Sequence, residues 1–120
     1  MSSFDIRPMT AADIDEVLEI ERLCFPTPWS REAFRIEIEQ NRCAHYFVAV
    51  CQDKIVGYGG MWVIIDEAHI TNVAVHPSYR GRGIGEAIMR SLIEAAISLG
   101  AVRMTLEVRV SNKIAQNLYE

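Results

Sequence analysis

Between Val75 and Met89 the sequence reads VHPSYRGRGIGEAIM, and Arg80-Gly81-Arg82-Gly83-Ile84-Gly85 at its centre combines bare backbone with positive charge. It follows an apolar, β-branched run and precedes a long apolar run of helical character. Backbone amides at a helix N-terminus have no intrahelical acceptor and carry the positive end of the helix dipole. They form a natural seat for phosphate oxygens. Glycines allow the positive φ and close approach that a nest of inward-pointing amides requires. Arg80 and Arg82 add formal charge beside it. The residues fit a pyrophosphate cradle, and by glycine content alone they fit a tight strand-to-helix turn with solvated arginines equally well. The common nucleotide motifs fail on the letters. No lysine follows the glycines as G-x-x-x-x-G-K-[ST] requires, and G-x-G-x-x-G meets Glu86 if begun at Gly81 and Ile88 if begun at Gly83.

Other chemistry-bearing residues give weaker local signals. His45, His69 and His76 are scattered, and Cys24, Cys43 and Cys51 form no C-x-x-C pair, so no metal site is expected. With no paired base evident, the three cysteines read as core residues. Glu107 lies on the polar side of an alternating run, beside Arg103, Thr105 and Arg109, and locally reads as a solvated charge. Tyr119 reads as a helix aromatic packing on a sheet. Asn112 reads as a helix cap.

These residues must be positioned by an alternation of strands and helices. Phe4–Pro8 reads as a first strand, with Thr10 and Asp13 forming a variant capping box ahead of a helix. Ile14, Val17, Leu18 and Leu23 give that helix its apolar spacing. Pro26 and Pro28 interrupt it, and Ser30 caps a second helix through Gln40, with Phe34 and Ile38 four apart. Tyr46–Cys51 and Ile55–Ile65 read as strands about a Gln52-Asp53-Lys54 turn, the second loosened by Gly57, Gly59 and Gly60. After Asp66-Glu67, His69–Val75 forms another strand. A helix runs from about Gly83 to Leu99, with Ile84, Ala87, Ile88, Leu92, Ala95 and Ala96 on one side and Gly100 as its stop. Val102, Met104, Leu106, Val108 and Val110 alternate with polar residues, as in a half-buried strand. A last helix begins near Ser111-Asn112. The expected fold is α/β: a mixed sheet of antiparallel hairpins plus a parallel strand-helix-strand crossover, with helices on both faces.

The bulk properties narrow the function. At 120 residues the chain is one domain. A net charge of -4 argues against a broad nucleic-acid-binding face while leaving room for a local basic pocket. The apolar stretch Met61–Ile65 is far too short to span a membrane. The segment MSSFDIRPM lacks a basic leader and an apolar core, and the cysteine usage suits a reduced cytoplasmic setting.

The strand Asn72-Val73-Ala74-Val75, the His76-Pro77 turn, and Arg80-Gly81-Arg82-Gly83-Ile84-Gly85 as an [RQ]-x-x-G-x-[GA] loop resemble the acetyl-CoA-binding motif of the GNAT superfamily of N-acetyltransferases. Leu106-Glu107-Val108-Arg109-Val110-Ser111-Asn112 with Asn117-Leu118-Tyr119-Glu120 is similar to the signature of its RimI-like branch, the ribosomal-protein-alanine N-acetyltransferases. CFPTPWSREAF is similar to that branch's substrate-side loop. The resemblance implies a GNAT-type fold and acetyl-CoA as co-substrate, with no metal. It implies that the amides of Arg80, Gly81, Arg82, Gly83, Ile84, Gly85 and Glu86 hold the pyrophosphate. It implies too that main-chain groups of Val73, Ala74 and Val75 hold the pantetheine arm, one amide polarising the thioester carbonyl. The resemblance further implies that Asn112 contacts the cofactor, that Glu107 is the general base and that Tyr119 is the general acid. The acceptor implied is the N-terminal α-amine of a protein, an alanine of a small-subunit ribosomal protein. No nucleic acid or membrane partner is implied.

Members of the family continue past this tyrosine with a Lys-Leu-Gly-Phe-like helix end and two further strands, whereas this sequence stops at Glu120. The expectation is a single N-acetyltransferase domain over residues 1–120, incomplete at its C-terminus and lacking the family's last two strands. An exposed sheet edge would follow, through which a homodimer could form. Two alternatives stay open: a non-catalytic acyl-CoA-binding module, and an acetyltransferase acting on a small-molecule amine.

Overall fold

A computed structural model describes residues 3–106. Its elements are β1 (Asp5–Pro8), α1 (Ile14–Cys24), α2 (Arg31–Glu39), β2 (Ala44–Cys51), β3 (Lys54–Ile64), β4 (Glu67–Val75), α3 (Ile84–Ser98) and β5 (Arg103–Leu106). Single 3-10 turns precede α1 and follow β4. The five strands form one sheet in chain order. β1 to β4 are antiparallel neighbours, and β5 joins β4 in parallel after the α3 crossover, so the sheet is mixed as the sequence predicts.

Helix starts follow the local chemistry. The Thr10 amide donates to the Asp13 carboxylate at 2.8 Å, and Ser30 Oγ accepts from the Ala33 amide at 3.1 Å. Asp13 also receives both guanidinium nitrogens of Arg7 (2.8 and 2.9 Å), which hold its carboxyl below the usual range and tie β1 to the first turn. The hairpin between β2 and β3 turns on Gln52 and Asp53, both at positive φ.

Each face of the sheet carries its own core. On one side α1 and α2 place Ile14, Val17, Leu18, Ile20 and Phe34 against Tyr46, Val48 and Tyr58. On the other, α3 sets Ile84, Ile88, Leu92 and Ala96 against Val56, Met61, Val73 and Val75. The buried stripe of α1 differs from the expected one in an instructive way. Leu23 is 55% exposed, while Glu21, seven residues after Ile14, is 0% exposed. Hydrophobic spacing alone cannot find a carboxylate on the core face of a helix. Gly59 lets α3 lie close on β3, since a Cβ there would stand 2.5 Å from Ile88 Cγ2. The glycines of β3 therefore admit neighbours rather than loosen the strand.

The pairing of β4 with β5 joins Glu67–Ile70 to Arg103–Leu106. Val102 precedes β5, its amide bonded to the Asp66 carbonyl at 2.8 Å and its side chain exposed. The expected strand through Val110 passes beyond the described residues. No helix among them is long and apolar enough to cross a membrane.

Candidate active site

At the C-terminal end of β4 the side chains are committed to the cores. Val73 and Val75 turn toward α3 and Ala74 toward α1 and α2, all three buried. Any ligand contact from this segment is therefore a main-chain contact. β3 flanks the segment on one side, with Val73 opposite Gly59 and Val75 opposite Gly57.

The turn that follows is shaped by two left-handed glycines. Gly81 has φ +82° and Gly83 φ +80°, and a Cβ on either would point into open space. Gly83 is the N-cap of α3, its carbonyl accepting the Ala87 amide at 3.0 Å. The amides of Ile84, Gly85 and Glu86 therefore occupy the first turn, where an α-helix offers them no intrahelical carbonyl. Ile84 and Gly85 are buried, which fixes the helix start, while Arg80, Gly81, Arg82, Gly83 and Glu86 lie at the surface. Loop and helix start together offer an open backbone surface at the positive end of a helix dipole. Such a backbone surface is the kind that phosphate oxygens can occupy.

The arginines differ in placement. Arg80 folds back, its Nε donating to the Val75 carbonyl at 3.3 Å and its Nη2 lying 3.5 Å from Cys24 Sγ. It braces the loop on the end of β4. Arg82 lies over the Tyr79 ring at 5.0 Å, with Lys54 Nζ 5.8 Å from the same centroid. His76 Nδ1 accepts from the Ser78 amide at 3.0 Å, and its ring stands edge-on to Tyr79. Partial burial and the nearby charges of Lys54 and Arg80 push the His76 imidazole below its ordinary value. Lys54, Arg80 and Arg82 thus collect positive charge around the turn of a chain that is negative overall.

Lys54 and Tyr79 were not found by reading the sequence. Lys54 enters through the β2–β3 turn, 25 residues before Tyr79, and only pairing of β3 with β4 brings them together. Cys24 packs against the α1–α2 core as expected, at its margin rather than inside it. Its half-buried thiol donates to the Val75 carbonyl at 3.4 Å, which places the C-terminus of α1 beside the end of β4. Glu107, Asn112 and Tyr119 lie outside the described residues. No cluster of three or more His, Cys, Asp or Glu side chains suited to a metal ion occurs among the described residues.

Known proteins share this sequence and fold. The model of the acetyltransferase (GNAT) family matches residues 14–120. A Bacillus subtilis protein, provisionally assigned as a ribosomal protein bS18-alanine N-acetyltransferase, is 44% identical over 115 residues, covering 96% of this chain and 76% of its own length. The crystal structure of the ribosomal-protein-S18-alanine N-acetyltransferase from Escherichia coli superposes with a TM-score of 0.84 at 30% identity, covering 98% of this chain and 74% of that one. An aminoglycoside N-acetyltransferase, AAC(6')-Iy, solved in complex with CoA, shares the fold with a TM-score of 0.82 at 19% identity, covering 99% and 86%.

Proposed function

The chain belongs to the acetyltransferase (GNAT) family and is an acetyl-CoA-dependent N-acetyltransferase, and from that premise we propose that its acceptor is the N-terminal alanine of a small-subunit ribosomal protein. The observation that carries this acceptor is the likeness to the two bS18-alanine N-acetyltransferases, at 44% and 30% identity along nearly the whole chain. Residues 1–120 form one N-acetyltransferase domain in this reading, working in the cytoplasm where ribosomal proteins are made.

The co-substrate supplies an activated acetyl group; the chain's residues bind it and manage protons. Amides from Arg80 to Glu86 hold the pyrophosphate, with Arg82 released from Tyr79 to meet it. Backbone groups of Val73, Ala74 and Val75 align the pantetheine arm, and one amide among them stabilises charge on the thioester oxygen. The neutral amine attacks the thioester carbonyl carbon, a C–N bond forms and the C–S bond breaks. In our reading Glu107 takes the proton from the amine, Tyr119 gives one to the departing thiolate, and Asn112 contacts the cofactor.

An N-terminal acceptor asks little of the base. An α-amine titrates near about 7.7–8.0, so roughly one in ten is already neutral at pH 7, against about one in 2,500 for a lysine near 10.4. A peptide with N-terminal alanine should therefore be acetylated on its α-amine, and the same peptide blocked at that amine but carrying a lysine should not. Glu107→Gln should lower kcat by roughly 10²–10⁴-fold while acetyl-CoA binding is retained. Full turnover in that variant would remove Glu107 from its role. Exclusive acetylation of a small-molecule amine would overturn the acceptor.

A further inference from the structure

Two residues on opposite elements meet at one buried carboxylate. Glu21 stands in the last turns of α1 and is 0% exposed. One of its oxygens accepts the backbone N–H of Trp29 at 2.8 Å, and the other accepts the hydroxyl of Tyr58. Tyr58 is also 0% exposed and lies on β3 directly opposite Ala74 of β4. Glu21 therefore ties the segment joining α1 to α2 to the strand pair whose far member ends at Val75.

The segment itself is pinned at both ends and open between. Phe25 is buried in the α1–α2 core, and the Trp29 ring packs on Phe34 with centroids 5.0 Å apart. Pro26, Thr27 and Pro28 are exposed. The segment departs from Cys24, whose thiol touches the Val75 carbonyl, so it leaves α1 beside the end of β4. A carboxylate inside an apolar core is costly unless its oxygens are satisfied. An amide in the same place would serve packing equally well. What Glu21 supplies is two acceptor oxygens of fixed direction, one facing a loop amide and one facing the strand.

We propose that Glu21 is a positioning residue: by holding the Trp29 amide and the Tyr58 hydroxyl at once, it fixes the Pro26–Pro28 tip as the wall of the acceptor site beside β4. The proposal rests on the acetyltransferase reading above for its site and adds the residue that sets one wall of it. Glu21 touches neither the reacting atoms nor the pyrophosphate loop in this scheme. Its loss should disturb acceptor binding while leaving the cofactor half intact.

The test compares Glu21→Ala, Glu21→Gln and Tyr58→Phe with Val17→Ala, a core truncation on the same helix. Steady-state kinetics would use an N-terminal-alanine peptide, alongside acetyl-CoA titrations and amide hydrogen exchange over residues 25–30. Glu21→Ala should raise the KM for the peptide roughly tenfold or more, leave acetyl-CoA affinity unchanged and speed exchange at the Trp29 amide. Glu21→Gln, whose amide oxygen still accepts from Trp29, should recover most of the loss. Should Glu21→Ala fail to fold, Tyr58→Phe carries the test with a smaller shift of the same kind. Val17→Ala should lower stability without raising the peptide KM. An unchanged peptide KM in the folded variants, or an equal rise in Val17→Ala, would overturn the proposal. A wild-type chain that acetylates no N-terminal peptide would refute the acceptor reading instead. Hydrogen exchange then decides alone, and unchanged protection at Trp29 in Glu21→Ala would sink the positioning role.

Discussion

His76 shows how one residue can couple pH to the shape of the turn that leads into the Arg80–Glu86 loop. Its Nδ1 accepts the Ser78 amide, which requires that nitrogen to be unprotonated. Partial burial, with Lys54 and Arg80 nearby, holds the imidazole below its ordinary value of 6.5. A group whose folded value is depressed contributes stability that is present above the unfolded value and lost as pH falls through the folded one. The turn should therefore be firm above pH 6.5 and weaken on acidification below it. His76→Asn keeps an acceptor for the Ser78 amide without a titrating group. Its stability should depend less on pH than the wild type's over that acid range, as denaturant titrations at several pH values would reveal. A His76 resonance titrating above 6.5 would contradict the account. Arg82, parked over Tyr79, is the other residue whose role depends on where its charge can move.

At the scale of elements, two-residue turns and close-packed glycines set the sheet. The β3–β4 turn places Ile65 at φ +56° with 90% of its surface exposed. A β-branched residue in the left-handed region bears steric strain of about 1–2 kcal/mol, and Ile65 recovers little of it through burial. Ile65→Asn should raise stability by about 1 kcal/mol, read as an upward shift of the melting midpoint; an unchanged or lower midpoint would contradict it. Much of this layer was legible in the sequence. The strand-to-helix turn announced itself through Gly81 and Gly83, and the observed positive φ values supply the reason glycine stands at both. Thr10, Ser30 and the apolar spacing of α3 likewise named their elements, with ends displaced by one or two residues. Glu21 was not legible. A carboxylate one turn from a loop reads as solvated charge until Tyr58, 37 residues later, arrives across the sheet. The contacts of Cys24 and Lys54 were missed for the same reason, because their partners Val75 and Tyr79 are remote in sequence.

Across the whole molecule, the sheet separates two cores and brings its chemistry to one end. α1 meets the end of β4 through Cys24 and Val75, and α3 begins where the glycine turn finishes. The net charge of -4 makes the basic group of Lys54, Arg80 and Arg82 a local exception to the charge of the chain. That division of charge leads to the central claim, that the turn from Arg80 to Glu86 seats the pyrophosphate of acetyl-CoA. The most direct test is calorimetric titration of acetyl-CoA into the wild-type chain and into Arg82→Glu at one salt concentration. The account predicts binding to the wild type and a loss of roughly tenfold or more in the variant, the scale of a charge-assisted hydrogen bond. Equal affinity in the two folded proteins would contradict it.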